Sequence, residues 1–220
     1  MSAEEKVSFK AALVESFEAS AMLKILKSGI AAGLTAEDIK LILLWLDSPL
    51  GQKITELEEN ASSAQAYQEM RDFAMGLESN PPADKRIAAI EQFDQAAHMT
   101  ESSVKIKMDM SLAMAEAMSC TMGCDNFSKE KIMRQLEQAR PQFEQGSQQE
   151  MFISSLFTYQ TLTDDELDQY IKFYETAVGQ KYMKVVTDAL SSSIQNASKL
   201  LGEKVGTMIQ EKKAMAEPQQ

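Results

Sequence analysis

The sequence predicts an all-α protein, and three observations carry that prediction. Glycine and proline are few, nine and five in 220 residues, so helix breakers are sparse. No stretch alternates apolar and polar residues for long, as a half-buried strand requires. A capped helix–corner–helix pattern is written twice, 128 residues apart, at Leu34–Lys53 and Leu162–Lys181.

The elements follow in order. Phe9, Leu13, Phe17, Met22, Leu23 and Leu26 recur at mostly helical spacing, which predicts one helix over Ser8–Ser28, closed by Gly29 or Gly33. The first corner opens on Thr35 with Asp38 three residues on, and the second on Thr163 with Glu166. Both are capping-box starts, in which the hydroxyl and the carboxylate each satisfy an orphan amide. Asp164 and Asp165 also stand where the helix dipole favours negative charge. Leu167, Tyr170, Ile171 and Tyr174 then share one helix face.

The corners themselves are Ser48-Pro49 and Thr176-Ala177. Ser or Thr suits an N-cap, and proline suits the first helical position, where its missing N–H had no partner. Gly51 and Gly179 fall in the new first turn, and Gln52-Lys53 and Gln180-Lys181 follow. Glycine costs a helix interior about 1 kcal/mol, so its presence in both copies implies close approach of another backbone. Gln and Lys have two readings: a pair of surface patches that bind a partner, or side chains that hold the corner together. The second is preferred, because one motif must suit both environments. Identities at both ends, with Ile39/Leu167, Trp45/Phe173, Asp47/Glu175, Ser48/Thr176 and Leu50/Val178 matched in type, argue for a duplicated unit.

The helix after the first corner is predicted to run from Pro49 to about Glu78, burying Leu50, Ile54, Leu57, Phe73 and Leu77, until Asn80-Pro81-Pro82 stops it. A helix from near Pro82 carries Ile87, Ile90, Phe93 and Ala97, and Thr100 either caps a continuation or is passed through. Ser102–Met118 is rich in Met and Ala, Cys120–Asn126 reads as a loop, and Ser128 as the next N-cap. Lys129–Ala139 is helical, Pro141 breaks or kinks it, and Gln142–Gln160 resumes. The last helix runs from Ala177 to about Lys213, with a frayed tail. The expected organisation is a first helical repeat at 1–119, a connecting loop at 120–128 and a second helical repeat at 129–220. The two are expected to pack together, since neither has much core alone.

The pattern Leu-Thr-x-x-Glu-Leu, followed by Phe-Tyr-x-Thr-x-x-Gly-Gln-Lys at Phe173–Lys181, resembles the DUF2059 family, a bacterial domain of unassigned function. The first copy departs from it at Trp45-Leu46, where the pattern has Phe-Tyr. The resemblance implies an all-helical fold and an exported, cell-envelope protein, and it brings no reaction or catalytic residues. The charged start Ser2-Ala3-Glu4-Glu5-Lys6 reads alone as cytoplasmic. Under the resemblance it would suit a mature N-terminus after signal removal, with Met1 added ahead of it.

Composition excludes several roles. A net charge of −11 opposes a nucleic-acid surface, which needs clustered Lys and Arg, and opposes attachment to anionic lipid. Ile39–Leu46 is the most hydrophobic run and is too short to span a bilayer. There is no Gly-rich phosphate loop, HExxH or GxSxG.

Four features are candidate sites. Cys120 and Cys124 are the only cysteines; they would close a short disulfide in an oxidising compartment, and otherwise stand as two free thiols. One CxxxC without a second Cys/His pair is weak as a metal site. Met110, Met114 and Met118, continued by Met122, step by four along one helix face. They read first as core, second as an adaptable groove for an apolar ligand or partner helix, and third as a Cu(I) site. His98 is the only histidine, tied to no nucleophile by a motif. Asp164, Asp165, Glu166 and Asp168 could hold calcium but lack an EF-hand spacing, and capping explains the first three. No catalytic residue, metal or cofactor is assigned. The expected function is non-enzymatic protein–protein contact in the envelope, with an unidentified partner. A carrier of lipid or another apolar ligand near the methionines, and an enzyme of unrecognised type, are the rivals. A connected apolar cavity would favour the carrier, and an exposed apolar patch the contact reading.

Overall fold

The computed structural model of the chain describes residues 2–121 and 128–216. Among them every regular element is an α-helix: α1 (Ala3–Ser16), α2 (Ala19–Gly33), α3 (Ala36–Leu46), α4 (Pro49–Ala61), α5 (Ala64–Gly76), α6 (Asp84–Ala97), α7 (Met99–Thr121), α8 (Lys129–Thr158), α9 (Asp164–Glu175) and α10 (Ala177–Ala216).

Cys120 and Thr121, expected to open the connecting loop, are the last residues of α7, and residues 122–127 lie outside the described ones. Three other expected boundaries differ. The single helix over Ser8–Ser28 is two, because Phe17 leaves helical geometry and the Glu18 carboxylate accepts from the amides of Ser20 at 3.0 Å and Ala21 at 2.8 Å. The helix from Pro49 to Glu78 is also two. Ser63 caps α5 by accepting from the Ala66 amide at 3.1 Å, and the Ser62-Ser63 pair was the available signal. Pro141 does not break its helix: α8 continues through it. The α6 helix ends at His98, held in the left-handed region at φ 50°, which few non-glycine residues adopt, histidine more often than most. The Asp94 carboxylate then takes both the amide and the hydroxyl of Thr100 at 2.7 Å, which opens α7.

The helices sort into two compact units, one within 1–32, 104–143 and 186–220 and the other within 33–103 and 144–185. The chain passes between them within α2, α7, α8 and α10. Neither unit coincides with the expected blocks 1–119 and 129–220, for each draws on both. The first unit has a core of small side chains, with Ala12, Ala117, Ala189, Ala197 and Leu201 buried beside Ser191, Ser193 and Ser198. Ser193 donates to the Met22 carbonyl at 3.1 Å and Ser191 to Asp109 at 2.6 Å. Lys212 pairs with Glu5 at 2.6 Å and Lys204 with Glu15, tying α10 to α1.

The second unit has the larger side chains. Ile54, Ile90, Phe93, Leu156, Tyr159, Leu162, Leu167, Tyr170, Ile171, Phe173 and Tyr174 form one buried cluster. Each such side chain contributes roughly 1.5–3 kcal/mol through burial. The α6 helix lies on α9. Phe93 meets the Tyr170 ring at 5.1 Å and the Tyr174 ring at 5.8 Å. Because both corners lie in this unit, their pairing accounts for the mixed membership.

Candidate functional site

The two corners are built by the same hydrogen bonds. Thr35 accepts from the Asp38 amide at 3.2 Å and Asp38 takes the Thr35 amide at 2.8 Å. Thr163 accepts from Glu166 at 3.2 Å and Glu166 takes the Thr163 amide at 2.8 Å. At the turn, Ser48 donates to the Trp45 carbonyl at 2.6 Å and accepts from Gly51 at 3.0 Å. Thr176 does the same with the Phe173 carbonyl and Gly179, again at 2.6 and 3.0 Å. Pro49 takes the first helical position of α4. A Cβ on Gly51 would overlap the Trp45 carbonyl oxygen and come within 2.9 Å of Leu46 Cα. On Gly179 it would overlap the Phe173 carbonyl oxygen and come within 2.9 Å of Tyr174 Cα. Only glycine lets each second helix start this close to the end of the first.

The corners then clasp each other. Lys53 donates to both oxygens of Glu166, at 2.7 and 2.9 Å, and Lys181 donates to Asp38. Each motif lysine thus holds the capping carboxylate of the other corner. Lys181, and then the Thr35 hydroxyl and amide, hold the Asp38 carboxyl at about 2, below its ordinary 3.8. Lys53, and then the Thr163 amide, lower Glu166. Between the clasps, Trp45 and Phe173 stack with centroids 4.8 Å apart and planes 7° from parallel. These two residues occupy the same position in their motifs.

Behind the stack lies a polar cluster that sequence reading missed. Tyr159 and Tyr170 both donate to Oε1 of Glu58, at 2.8 and 2.7 Å. The Tyr170 and Tyr174 hydroxyls are 3.0 Å apart. Since Tyr170 gives its one proton to Glu58, Tyr174 is the donor to Tyr170. Burial pushes all three phenols above their ordinary range, so they stay protonated donors. Glu58 lies 101 residues from Tyr159 and 112 from Tyr170, a separation at which no local pattern gives a signal.

The helices α3 and α9 differ on their outer faces. Leu167, Tyr170, Ile171, Phe173 and Tyr174 of α9 are buried. On α3 only Ile42 is buried, and Ile39 (38%), Leu41 (42%), Leu43 (49%) and Leu44 (63%) are exposed. Ile39 and Leu43 are the counterparts of Leu167 and Ile171. What covers α9 is α6, fastened at three points. Lys85 pairs with Asp164 at 2.9 Å, with Arg86 beside it at 3.6 Å. Gln92 donates to Glu175 at 3.2 Å. Gln180 donates to the Ala96 carbonyl at 2.6 Å and to the Tyr174 carbonyl at 2.7 Å. Its counterpart Gln52 reaches only the Asp47 carbonyl of its own corner, at 3.3 Å.

The other candidates are dispersed. Three members of the acidic run are paired with cations, Asp164 and Glu166 as described and Asp168 by Lys172 at 2.6 Å. His98 contacts Gln180 at 3.0 Å and Glu101 at 3.2 Å. Met110 and Met118 are half-buried and Met114 is exposed, so the stripe is only partly packed; the buried residues of α7 are Val104 and Ala117. Cys120 is exposed, while Cys124 and Met122 lie outside the described residues. A groove of about 640 Å³ between α6 and α8 is lined by Ile90 and Phe152, by Glu91 and Asp94, and by Gln95, Gln145, Gln148 and Gln149. Among the described residues no helix is long and apolar enough to cross a membrane.

A family model described as "Uncharacterized protein conserved in bacteria (DUF2059)" matches residues 159–206. That stretch begins just after α8 and spans all of α9 and most of α10. No curated protein gives a significant match, and no solved structure does.

Proposed function

We propose that the chain is a non-enzymatic helical protein of the bacterial cell envelope that acts by protein–protein contact through α3. The observation that carries this reading is the run of exposed Ile39, Leu41, Leu43 and Leu44 on one helix of the second unit. A large exposed apolar patch costs solubility and marks an interaction surface more often than chance exposure. The groove on α6 and α8 does not suit an apolar cargo, because four glutamine amides line it. An apolar cargo would leave those amides without partners. We further infer that the two corners descend from one duplicated unit. The matching cap and turn bonds, and the reciprocal lysine clasps, support it.

A photo-crosslinking residue at Leu44 in the native host tests the contact. A discrete protein adduct is expected there, and none from Glu69 on the exposed side of α5. No protein adduct at Leu44, or lipid adducts alone, would overturn the reading. Fractionation of the same cells is expected to find the chain in the envelope.

A further inference from the structure

We propose that the outer face of α3 is a seat for an amphipathic helix of a partner protein, of the same chemistry as α6. This rests on the contact reading above and names the partner's chemistry. The template is inside the molecule. On α9, α6 seats Ile90, Phe93 and Ala97 in a dry face and is clasped by Asp164 near its start, Glu175 along its side and Gln180 at its last carbonyls.

The α3 face repeats this arrangement without an occupant. Ile39 and Leu43 stand where Leu167 and Ile171 do. Asp47 stands where Glu175 does and Gln52 where Gln180 does, both exposed. Ala36 replaces Asp164, and exposed Glu37 is the next residue. The complementary helix therefore carries Lys or Arg in its first turn, to face Glu37. Large apolar residues at i, i+3 and i+7 cover Ile39 and Leu43. An amide or basic side chain meets Asp47, and a free carbonyl end meets the Gln52 amide. Trp45, on another face of the same helix, holds α3 in the unit by its stack on Phe173.

The probe is a capped synthetic peptide with the sequence of residues 82–98, titrated into the full chain. Trp45, the only tryptophan, reports from α3 itself, and the peptide has none. Saturable change in Trp45 emission is expected, weakened at least about ten-fold by Leu43→Asp, as for an interface anchor. Leu44→Asp and Gln52→Ala are expected to weaken it by smaller factors. Circular dichroism of each variant separates lost binding from lost folding. A peptide with both first-turn cations replaced by glutamate is expected to bind several-fold more weakly. No saturable change, or equal affinity for the folded Leu43→Asp chain, would overturn the proposal. If Leu44 still yields a protein adduct in cells, the contact reading survives and only the helix chemistry falls. A mass in solution of two chains, returned to one by Leu43→Asp, would also overturn it, since the face would then be a self-interface.

Discussion

Helices α3 and α9 begin with the same capping box, end at the same glycine corner and exchange lysine clasps, yet α9 is buried and α3 is largely exposed. A corner needs few residues: a hydroxyl at each cap, a carboxylate three positions on, a glycine and a lysine. Whether a helix face is core depends on what lies over it. The α6 helix lies on α9, and no described helix takes the same place on α3. Leucine and isoleucine thus serve as core on one helix and as exposed surface on the other.

Substitutions can break this comparison, beginning with the largest expected effect. Leu167→Ala should cost about 2–5 kcal/mol, as for a fully buried leucine, while Ile39→Ala at the matching position should stay within about 0.5 kcal/mol. Chemical denaturation reads both, and equal losses would erase the distinction. Gly51→Ala and Gly179→Ala should each cost about 1–3 kcal/mol, because the new Cβ overlaps a backbone carbonyl. Here the corners should behave alike, and a neutral result at either would break their equivalence. Tyr170→Phe should cost about 1–2 kcal/mol by leaving the Tyr174 hydroxyl without its acceptor; α3 has no matching network, since Ile42 stands at that position.

The clasps should matter least, because Lys53 and Lys181 are partly exposed. Lys181→Met should lower Tm by no more than a few degrees. Its pH dependence is sharper. Asp38 is held at about 2 in the folded chain against an ordinary 3.8, so its share of stability is present above pH 3.8 and is lost as pH falls toward 2. The difference in Tm between the parent and Lys181→Met should shrink over that interval. A constant difference would assign the effect to the lysine stem's packing.

Much of the local structure was legible. Thr35, Thr163, Ser48 and Pro49 announce their caps through short-range hydrogen bonding, which depends on residues three or four apart. The break at Glu18 was not, because a carboxylate capping two residues on looks like any charged helix residue. Pro141 misled, since a proline tolerated inside a long helix and one that ends it read alike without the neighbouring chain. The joining of the corners across both halves was also hidden. The partners of Lys53 and Lys181 lie 113 and 143 residues away, and nothing local distinguishes a clasping lysine from a solvated one. The exposure of α3 ran against its composition, for Ile39–Leu46 is the most apolar run in the chain.

The most direct measurement compares two double substitutions by thermal unfolding, Ile39→Asp with Leu43→Asp on α3 and Leu167→Asp with Ile171→Asp on α9. The α3 pair is expected to leave a cooperative transition within a few degrees of the parent, while the α9 pair abolishes it, since unpaired carboxylates would sit in dry core. An α3 pair that unfolds the chain as the α9 pair does would mean that its face is core, and that no seat for a partner exists there.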